Sequence, residues 1–334
     1  MQESIDVHKI FAKYFSGCES LAYALSSKLG EGNICINIDE YKKELFLIKE
    51  EEGAKESLDE DDLLFLVSPE EFEKQCIPGK YVTYSEDELK PFVIRDRTAY
   101  LHRYFQYETQ IINNIKRLGD NFYIITGGPG TGKTYSVALK LAELYRNNPG
   151  LRVALAAPTG KAGSRMNEAI KDFAGNPKNN IEQKIKDKLT GLKAHTIHVL
   201  LGYIPNSVFF RYDENNRLPY DVVIIDECSM IDGAMMAKLL NAIDTGTRLY
   251  LLGDKDQLAS VEAGSVFGDM CRSKDSELMI GKVELKMKSW RFEADKGIGK
   301  FSTEVITGSF NNPENYDGDG QIIIDTSFSK ELFD

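Results

Sequence analysis

The chain has little that would tie it to an oxidising compartment or a membrane. Its five cysteines, Cys18, Cys35, Cys76, Cys228 and Cys271, are odd in number, scattered and without a Cys-x-x-Cys pair. That argues against a disulfide framework, and reduced cytoplasmic thiols are the preferred reading. No apolar run approaches the ~18 residues needed to span a bilayer, so no membrane anchor is expected. The N-terminus reads Met-Gln-Glu-Ser-Ile-Asp, with no basic stretch leading into an apolar core. A secretory leader is therefore not expected, and the cytoplasm is the expected location. What is present is ordinary for a globular protein: 334 residues, 42% hydrophobic and 28% charged, enough for two domains at about 100 to 200 residues each.

The net charge of −11 argues against a polyanionic partner only while the chain is taken whole. Residues 1–100 carry −10, residues 101–200 carry +8 and residues 201–334 carry −9. A nucleic-acid site confined to one face fits the basic middle segment, and the acidic first segment fits solvent or a protein partner. A solvated lysine-rich helix over 184–193 accounts for much of the same positive sum.

In that middle segment lies Gly127-Gly128-Pro129-Gly130-Thr131-Gly132-Lys133-Thr134, which fits G-x-x-x-x-G-K-[ST]. A β-like stretch, 122–126, precedes it and an apolar helical stretch, 135–145, follows. Glycines let successive N–H groups turn around an anion, and the following helix adds its positive end. Lys133 then reaches the β- and γ-phosphates, and the Thr134 hydroxyl is placed to ligate Mg²⁺. The expectation is binding of a nucleoside triphosphate.

Around this loop the sequence alternates. Residues 122–126, 153–157, 222–226 and 248–252 are short β-rich runs separated by helical stretches, which predicts a parallel sheet with helices on both faces and a ligand at the carboxyl ends of the strands. Residues 171–193 are polar, basic and helical in pattern, and 203–219 suggest a hairpin or an excursion from the sheet. Residues 1 to about 105 show helical patterns such as 21–29, a charged stretch at 50–62 and no phosphate or metal signature. They predict a separate, mostly helical domain.

Further strings carry chemistry. Val222 to Ile225 is an apolar strand ending in Asp226-Glu227. In a phosphate-loop ATPase the first acid binds Mg²⁺ and the second orients and activates the attacking water. Gln257, after the strand at 248–252, is placed to contact a γ-phosphate, although a surface amide on a Gly-Asp turn reads the same. Thr159 and Lys161 in Ala-Pro-Thr-Gly-Lys-Ala suit a nucleic-acid phosphate, and the string equally fits a helix cap. His195-Thr196-Ile197-His198 supplies two imidazoles without the carboxylates or thiolates of a zinc site. Metal binding is rejected there, and phosphate contact, base contact and packing stay open.

Taken in order, GGPGTGKT, APTGKA, AHTIHVLLG, VVIIDECSMID, LLGDKDQLASVEAGSVFGDM and SWRFEADKGIG closely resemble the RecD family, the alpha subunit of exodeoxyribonuclease V, within the superfamily 1 helicases that move 5′ to 3′. The match runs from about residue 100 to 310. The resemblance implies an α/β fold with a RecA-like P-loop NTPase domain. The expected arrangement is a helical partner-docking domain over 1–105, a first RecA-like domain over 106–285, and the start of an incomplete second one over 286–334.

The resemblance also assigns roles. Gln110 would read the adenine edge; Lys133 and Thr134 would hold phosphate and Mg²⁺; Asp226 would complete the Mg²⁺ shell and Glu227 would be the catalytic base. Gln257 would couple the γ-phosphate to the DNA track. Arg291 would stabilise charge on the transferring phosphoryl group, and Thr159, Lys161, Thr196 and His198 would touch single-stranded DNA. ATP and Mg²⁺ are the implied cofactors, and RecB- and RecC-like subunits in double-strand-break repair the implied partners. The motifs of a second motor domain have no counterpart after Phe310, so the sequence reads as an N-terminal portion whose nucleotide pocket is half built. No nuclease signature is visible. The competing expectations are a nucleotide- and partner-binding module without motor activity and a stand-alone RecD-like helicase.

Overall fold

The computed structural model describes residues 6–50, 64–257 and 266–286, together with Lys300, Glu304 and Ser309. Arg291 and nearly all of the expected third domain lie outside the described residues. The chain divides into two units. Of the described residues, one unit takes 6–50, 64–117, 230–242 and 266; the other takes 118–229, 243–257 and 267 onward.

In the first unit the sequence sets its helices by capping. Helix α1 (Val7–Ala12) starts where the Asp6 carboxylate accepts the N–H groups of His8 and Lys9, and α2 spans Glu19–Gly30. A short strand, β1 (Cys35–Asn37), leads into α3 (Ile38–Glu50). Helix α4 (Pro69–Gln75) has a serine cap, Ser68 accepting from Glu71 N–H, and a proline in its first turn, the arrangement that satisfies orphan donors at no helical cost. The expected helices are there, and beside them lies a sheet that the sequence does not announce. It is formed by β1, β2 (Val82–Thr83), β3 (Phe92–Arg95) and β4 (Thr98–Leu101) in the order β1-β4-β3-β2. Strands of two to four residues are too short to display a period-two pattern. Phe65, Phe72, Phe92, Leu21 and Ile38 pack the core between helices and sheet, each no more than 1% exposed.

The β3–β4 turn, Asp96-Arg97, has both residues at positive φ, 47° and 63°, which suits a two-residue hairpin. It delivers Arg97 to two carboxylates: Nη2 meets Asp39 Oδ1 at 2.5 Å and Nη1 meets Glu73 Oε1 at 2.5 Å. Lys42 adds a bond to Glu73 at 2.7 Å. These partners, Arg97 first, hold the Glu73 carboxyl down at about 2, against an ordinary 4.5. A depressed carboxylate stabilises the fold above its unfolded value and loses that contribution as pH falls from about 4.5 to about 2. Because the pair is partly solvated, the effect is under about 1 kcal/mol. The expected result is that Glu73→Gln lowers the thermal midpoint slightly at pH 7, with the gap from wild type closing as pH falls through that window; a gap that persists at pH 2 would contradict the assignment.

Helix α5 (His102–Leu118) closes this unit's N-terminal part and is bound to α10 (Gly233–Ala242). Asn114 Nδ2 donates to Asn241 Oδ1 at 2.6 Å, Asn241 Nδ2 donates to Gln110 Oε1 at 3.2 Å, and Arg117 donates to the Leu240 carbonyl at 3.1 Å.

Among the described residues, the second unit is built on six parallel strands: β5 (Phe122–Gly127), β6 (Val153–Ala157), β7 (Ala194–Thr196), β8 (Val222–Ile225), β9 (Arg248–Gly253) and β10 (Val283–Lys286), ordered β10-β5-β9-β8-β6-β7. Four of these strands match the β-rich runs of the sequence to within a residue; β7 and β10 lie at the edges and are polar and short. β8 is buried at every position and β9 at all but its first, as expected of strands covered on both faces. Helices α6 (Lys133–Asn147), α7 (Gly160–Gly175) and α8 (Gln183–Gly191) pack through Leu141, Tyr145, Ile170, Phe173 and Leu189 onto Leu155 and Ile224 of the sheet. The basic stretch expected as one helix over 171–193 is split by the turn at Pro177–Asn179. Residues 203–219 do leave the sheet, pinned at their base by an antiparallel bridge between Tyr203 and Phe210. Among the described residues, no helix is long and apolar enough to cross a membrane.

Candidate nucleotide-binding site

The carboxyl end of β5 runs straight into the glycine-rich loop, and α6 begins at Lys133. Gly130 and Gly132 take φ of 75° and 80°, a conformation that a side chain disfavours, so the turn needs glycine there. Gly127 is needed for another reason. A Cβ built on it would collide with the Lys286 carbonyl of β10, its parallel neighbour in the sheet, and lie 2.8 Å from Thr131 Oγ1. Gly127→Ala is therefore expected to force β5 and β10 apart at the loop, costing about 1–3 kcal/mol, the usual range for overpacking. Thermal unfolding of the variant checks this; an unchanged midpoint would show that β10 yields freely.

The loop is tied by its own polar groups. Thr131 Oγ1 donates to the Gly128 carbonyl at 2.8 Å, and Lys133 Nζ donates to the Gly127 carbonyl at 2.5 Å and the Gly128 carbonyl at 3.1 Å. The ammonium is thus held over the loop itself, at the N-terminus of a 15-residue helix. Backbone N–H groups, helix dipole and lysine all offer positive potential to an anion at this point.

Opposite the loop, β8 ends and Asp226 begins the turn. Its N–H bonds the Ala156 carbonyl of β6 at 3.0 Å, and Asp226 Oδ2 accepts from Thr134 Oγ1 at 3.3 Å. A hydroxyl and one carboxylate converge there. Mg²⁺ usually keeps several waters and phosphate oxygens and takes only one or two protein carboxylates, so this pair fits it. Among the described residues there is no group of three or more His, Cys, Asp or Glu that could hold a metal ion.

Glu227 follows in the left-handed region at φ 55°, uncommon for a residue with a side chain. Its N–H is taken up by Asp226 Oδ1 at 2.8 Å. Burial pushes the Asp226 carboxyl above its ordinary range, opposed by the Glu227 N–H, the Lys133 charge and the Thr134 hydroxyl. Burial and then the Asp226 charge push Glu227 upward too, opposed by Lys133 and Arg165. Arg165 is an exposed residue of α7, one turn beyond Lys161.

The residues expected to meet nucleic acid fall at the same end of the sheet. β6 and β7 pair in parallel with Ala157 opposite Thr196, so Thr159 and Lys161, just after β6, fall at the same sheet margin as Thr196, the last residue of β7, and His198, two residues on. Both threonines are helix caps: Thr159 Oγ1 accepts from Ala162 N–H, and Thr196 Oγ1 accepts from Val199 N–H at the start of α9 (Ile197–Leu201). Lys161 and His198 are exposed, and the His198 ring lies edge-on to Phe210 at 5.7 Å. Gln110 belongs to the other unit and accepts from Asn241. Arg291 lies outside the described residues.

Sequence reasoning passes over two residues at this site. Ser229 donates to Gln257 Oε1 at 3.1 Å, and Thr126 Oγ1 accepts the Lys255 N–H at 3.1 Å. Thr126 reads as a strand residue and Ser229 as part of a short turn, so neither carries a sequence signal of its own.

Comparison with known proteins bears on the same stretch. The model of an AAA domain matches residues 110–263. The RecBCD enzyme subunit RecD of Mycolicibacterium smegmatis is 46% identical over 197 residues, covering 57% of this chain and 34% of that protein. The RecD subunit of Haemophilus influenzae is 40% identical over 216 residues, 56% of this chain and 33% of that one. The ATP-dependent RecD2 DNA helicase of Deinococcus radiodurans is 40% identical over 146 residues, 44% of this chain and 17% of that one. The chain spans about a third of the length of the RecD subunits it matches.

Proposed function

We propose that this chain, a relative of the RecD subunits of RecBCD enzymes, carries the ATP-binding half of an ATP-driven DNA motor. The observation that supports it most is the convergence, at the carboxyl ends of β5 and β8, of a glycine-rich loop, a lysine and a hydroxyl–carboxylate pair 3.3 Å apart. In this reading the loop N–H groups and Lys133 bind the phosphates of ATP, and Thr134 and Asp226 hold Mg²⁺, which would neutralise charge on the phosphate oxygens. Glu227 accepts the proton of the attacking water. Gln257 senses the γ-phosphate, and Gln110 reads the adenine edge.

The DNA track is proposed along Thr159, Lys161, Thr196 and His198, with single-stranded DNA as the ligand. Each capping threonine accepts an N–H at its oxygen and keeps its hydroxyl hydrogen, so both hydroxyls would remain able to donate to a phosphate oxygen. Movement in the 5′-to-3′ direction, RecB- and RecC-like partners, and double-strand-break repair rest on the family resemblance alone, as does the role of Arg291. The proposed domains remain 1–105, 106–285 and 286–334. Because the match covers only about a third of the RecD relatives' own length, the activity proposed for this chain by itself is nucleotide binding with weak hydrolysis.

The test is ATP hydrolysis by residues 1–334 with and without single-stranded DNA, beside direct measurement of Mg²⁺-ATP binding. Binding together with DNA-stimulated turnover supports the motor reading. Binding with turnover indifferent to DNA favours a nucleotide- and partner-binding module, and the absence of binding overturns both.

A further inference from the structure

Strand order gives β9 a particular place. It lies between β5, which runs into the phosphate loop, and β8, which runs into Asp226-Glu227. The turn after it, residues 254–257, is fastened on both flanks. On the phosphate-loop side, Lys255 N–H donates to Thr126 Oγ1 at 3.1 Å, one residue before Gly127. On the other side, the Ser229 hydroxyl donates to Gln257 Oε1 at 3.1 Å, two residues after Glu227. Inside the turn, Asp254 Oδ1 accepts Asp256 N–H at 3.1 Å and the Asp254 carbonyl accepts Gln257 N–H at 3.3 Å.

The direction of the Ser229 bond is what matters chemically. A glutamine amide has one acceptor end and one end with two donors. Ser229 is 7% exposed, whereas Gln257 is an exposed residue. The buried hydroxyl spends its proton on Oε1, which leaves the two N–H donors of Nε2 as the end available to a ligand. An anion requires donors; the amide turned the other way would set its lone pairs against a phosphate. Ser229 reaches this position because the chain reverses at Glu227, with φ 55°, into the short turn Cys228–Met230.

We propose that Ser229 is a positioning residue: it fixes the Gln257 amide so that its N–H groups face the third phosphate of a nucleotide held by the glycine-rich loop, and thereby lets the site tell triphosphate from diphosphate. This rests on the nucleotide reading above. It assigns to Ser229 no contact with the ligand, and to Gln257 a discrimination that is lost when either partner of the bond is removed.

The experiment measures the affinities of Mg²⁺-AMP-PNP and Mg²⁺-ADP by calorimetry for residues 1–334. Wild type is compared with Ser229→Ala, Ser229→Thr, Gln257→Ala, the Ser229→Ala/Gln257→Ala pair and Lys133→Ala. The expected result is that Ser229→Ala and Gln257→Ala each lower the ratio of AMP-PNP to ADP affinity by roughly 10-fold, the worth of a hydrogen bond to a charged group. The double variant should lose no more than either single one, as coupled residues do. ADP affinity should stay within about twofold, the coupling acting only through the third phosphate. Ser229→Thr keeps the donor and should keep the ratio, which guards against a misfolded alanine variant. Loss of affinity for both nucleotides alike in Ser229→Ala, or single effects that multiply in the double variant, would overturn the proposal. If wild type binds both nucleotides through Lys133 but Ser229→Ala leaves the ratio unchanged, this proposal alone falls; if wild type binds neither, the nucleotide reading falls with it.

Discussion

Alanine in place of Lys133 is expected to weaken Mg²⁺-ATP binding by about 10- to 10²-fold, the worth of hydrogen bonds to a charged group. The expectation comes from how the side chain is held. Its ammonium is fixed by the Gly127 and Gly128 carbonyls, at 2.5 and 3.1 Å, at the N-terminus of α6. It is therefore already in position before any phosphate arrives, and little side-chain entropy is left to lose on binding. Removing it deletes the one formal positive charge contributed by the loop itself, in a setting where the partial charges of the helix end are about half a unit. The two Lys133 bonds also tie the first two glycines of the loop to the helix, so the variant should show slightly faster amide exchange over 127–132. A fluorescent ATP analogue titrated against both proteins checks the affinity. A loss smaller than about tenfold would mean that N–H groups of the loop do most of the binding, and that the lysine is chiefly a structural tie.

Glutamine at position 227 is expected to lower single-turnover ATP hydrolysis by about 10²- to 10⁴-fold, the usual contribution of a positioned general base, while nucleotide affinity changes little. The substitution keeps the length and planarity of the side chain and removes only the ability to take a proton. The backbone supports this division of labour. Glu227 sits in the left-handed region, with its N–H bonded to Asp226 Oδ1 at 2.8 Å, and such non-glycine positions persist where surrounding structure holds them. The surrounding structure here is a pair of anchors: Asp226 N–H on β6 before it and the Ser229 hydroxyl on Gln257 after it. The carboxylate is thus carried on a short rigid turn and not on a free loop. Quench-flow hydrolysis with protein in excess over ATP is the measurement, done with saturating single-stranded DNA. An unchanged rate would remove Glu227 from the chemistry and leave its strained backbone to be explained by the turn alone.

The parts of the site that were legible in the sequence are those whose chemistry is local. A glycine-rich loop followed by Lys133 and Thr134 encodes its own geometry, because left-handed φ at Gly130 and Gly132 and the start of α6 are properties of consecutive residues. The Asp226-Glu227 pair was legible for a related reason: an uninterrupted apolar run must be a buried strand, and two acids at its end must lie at the sheet's edge of solvent. The same logic identified β6 and β9. It missed β7 and β10, where three and four half-polar residues at the sheet margins carry no periodicity. It missed the four-stranded sheet beside α2 for the same cause. Thr159 was read as suited either to a nucleic-acid phosphate or to a helix cap, and the structure shows it as a cap; Thr196, for which no cap was expected, caps a helix as well.

The sequence by itself determined that a phosphate-binding loop, a hydroxyl and a carboxylate belong to one α/β unit, since each motif is contiguous and its local conformation follows from its residue types. Only the tertiary structure decided what those motifs touch. That Gly127 is barred from carrying a side chain follows from β10 lying beside β5, with Lys286 in register. That Thr134 meets Asp226, 92 positions later, and that Ser229 meets Gln257, 28 positions later, follow from the order β5-β9-β8 in the sheet. Strand order is set by how the buried faces of all six strands pack with their helices, a non-local balance of burial and chain connection. No single segment encodes it, and so the contacts that would tune this site could be read only once the sheet was assembled.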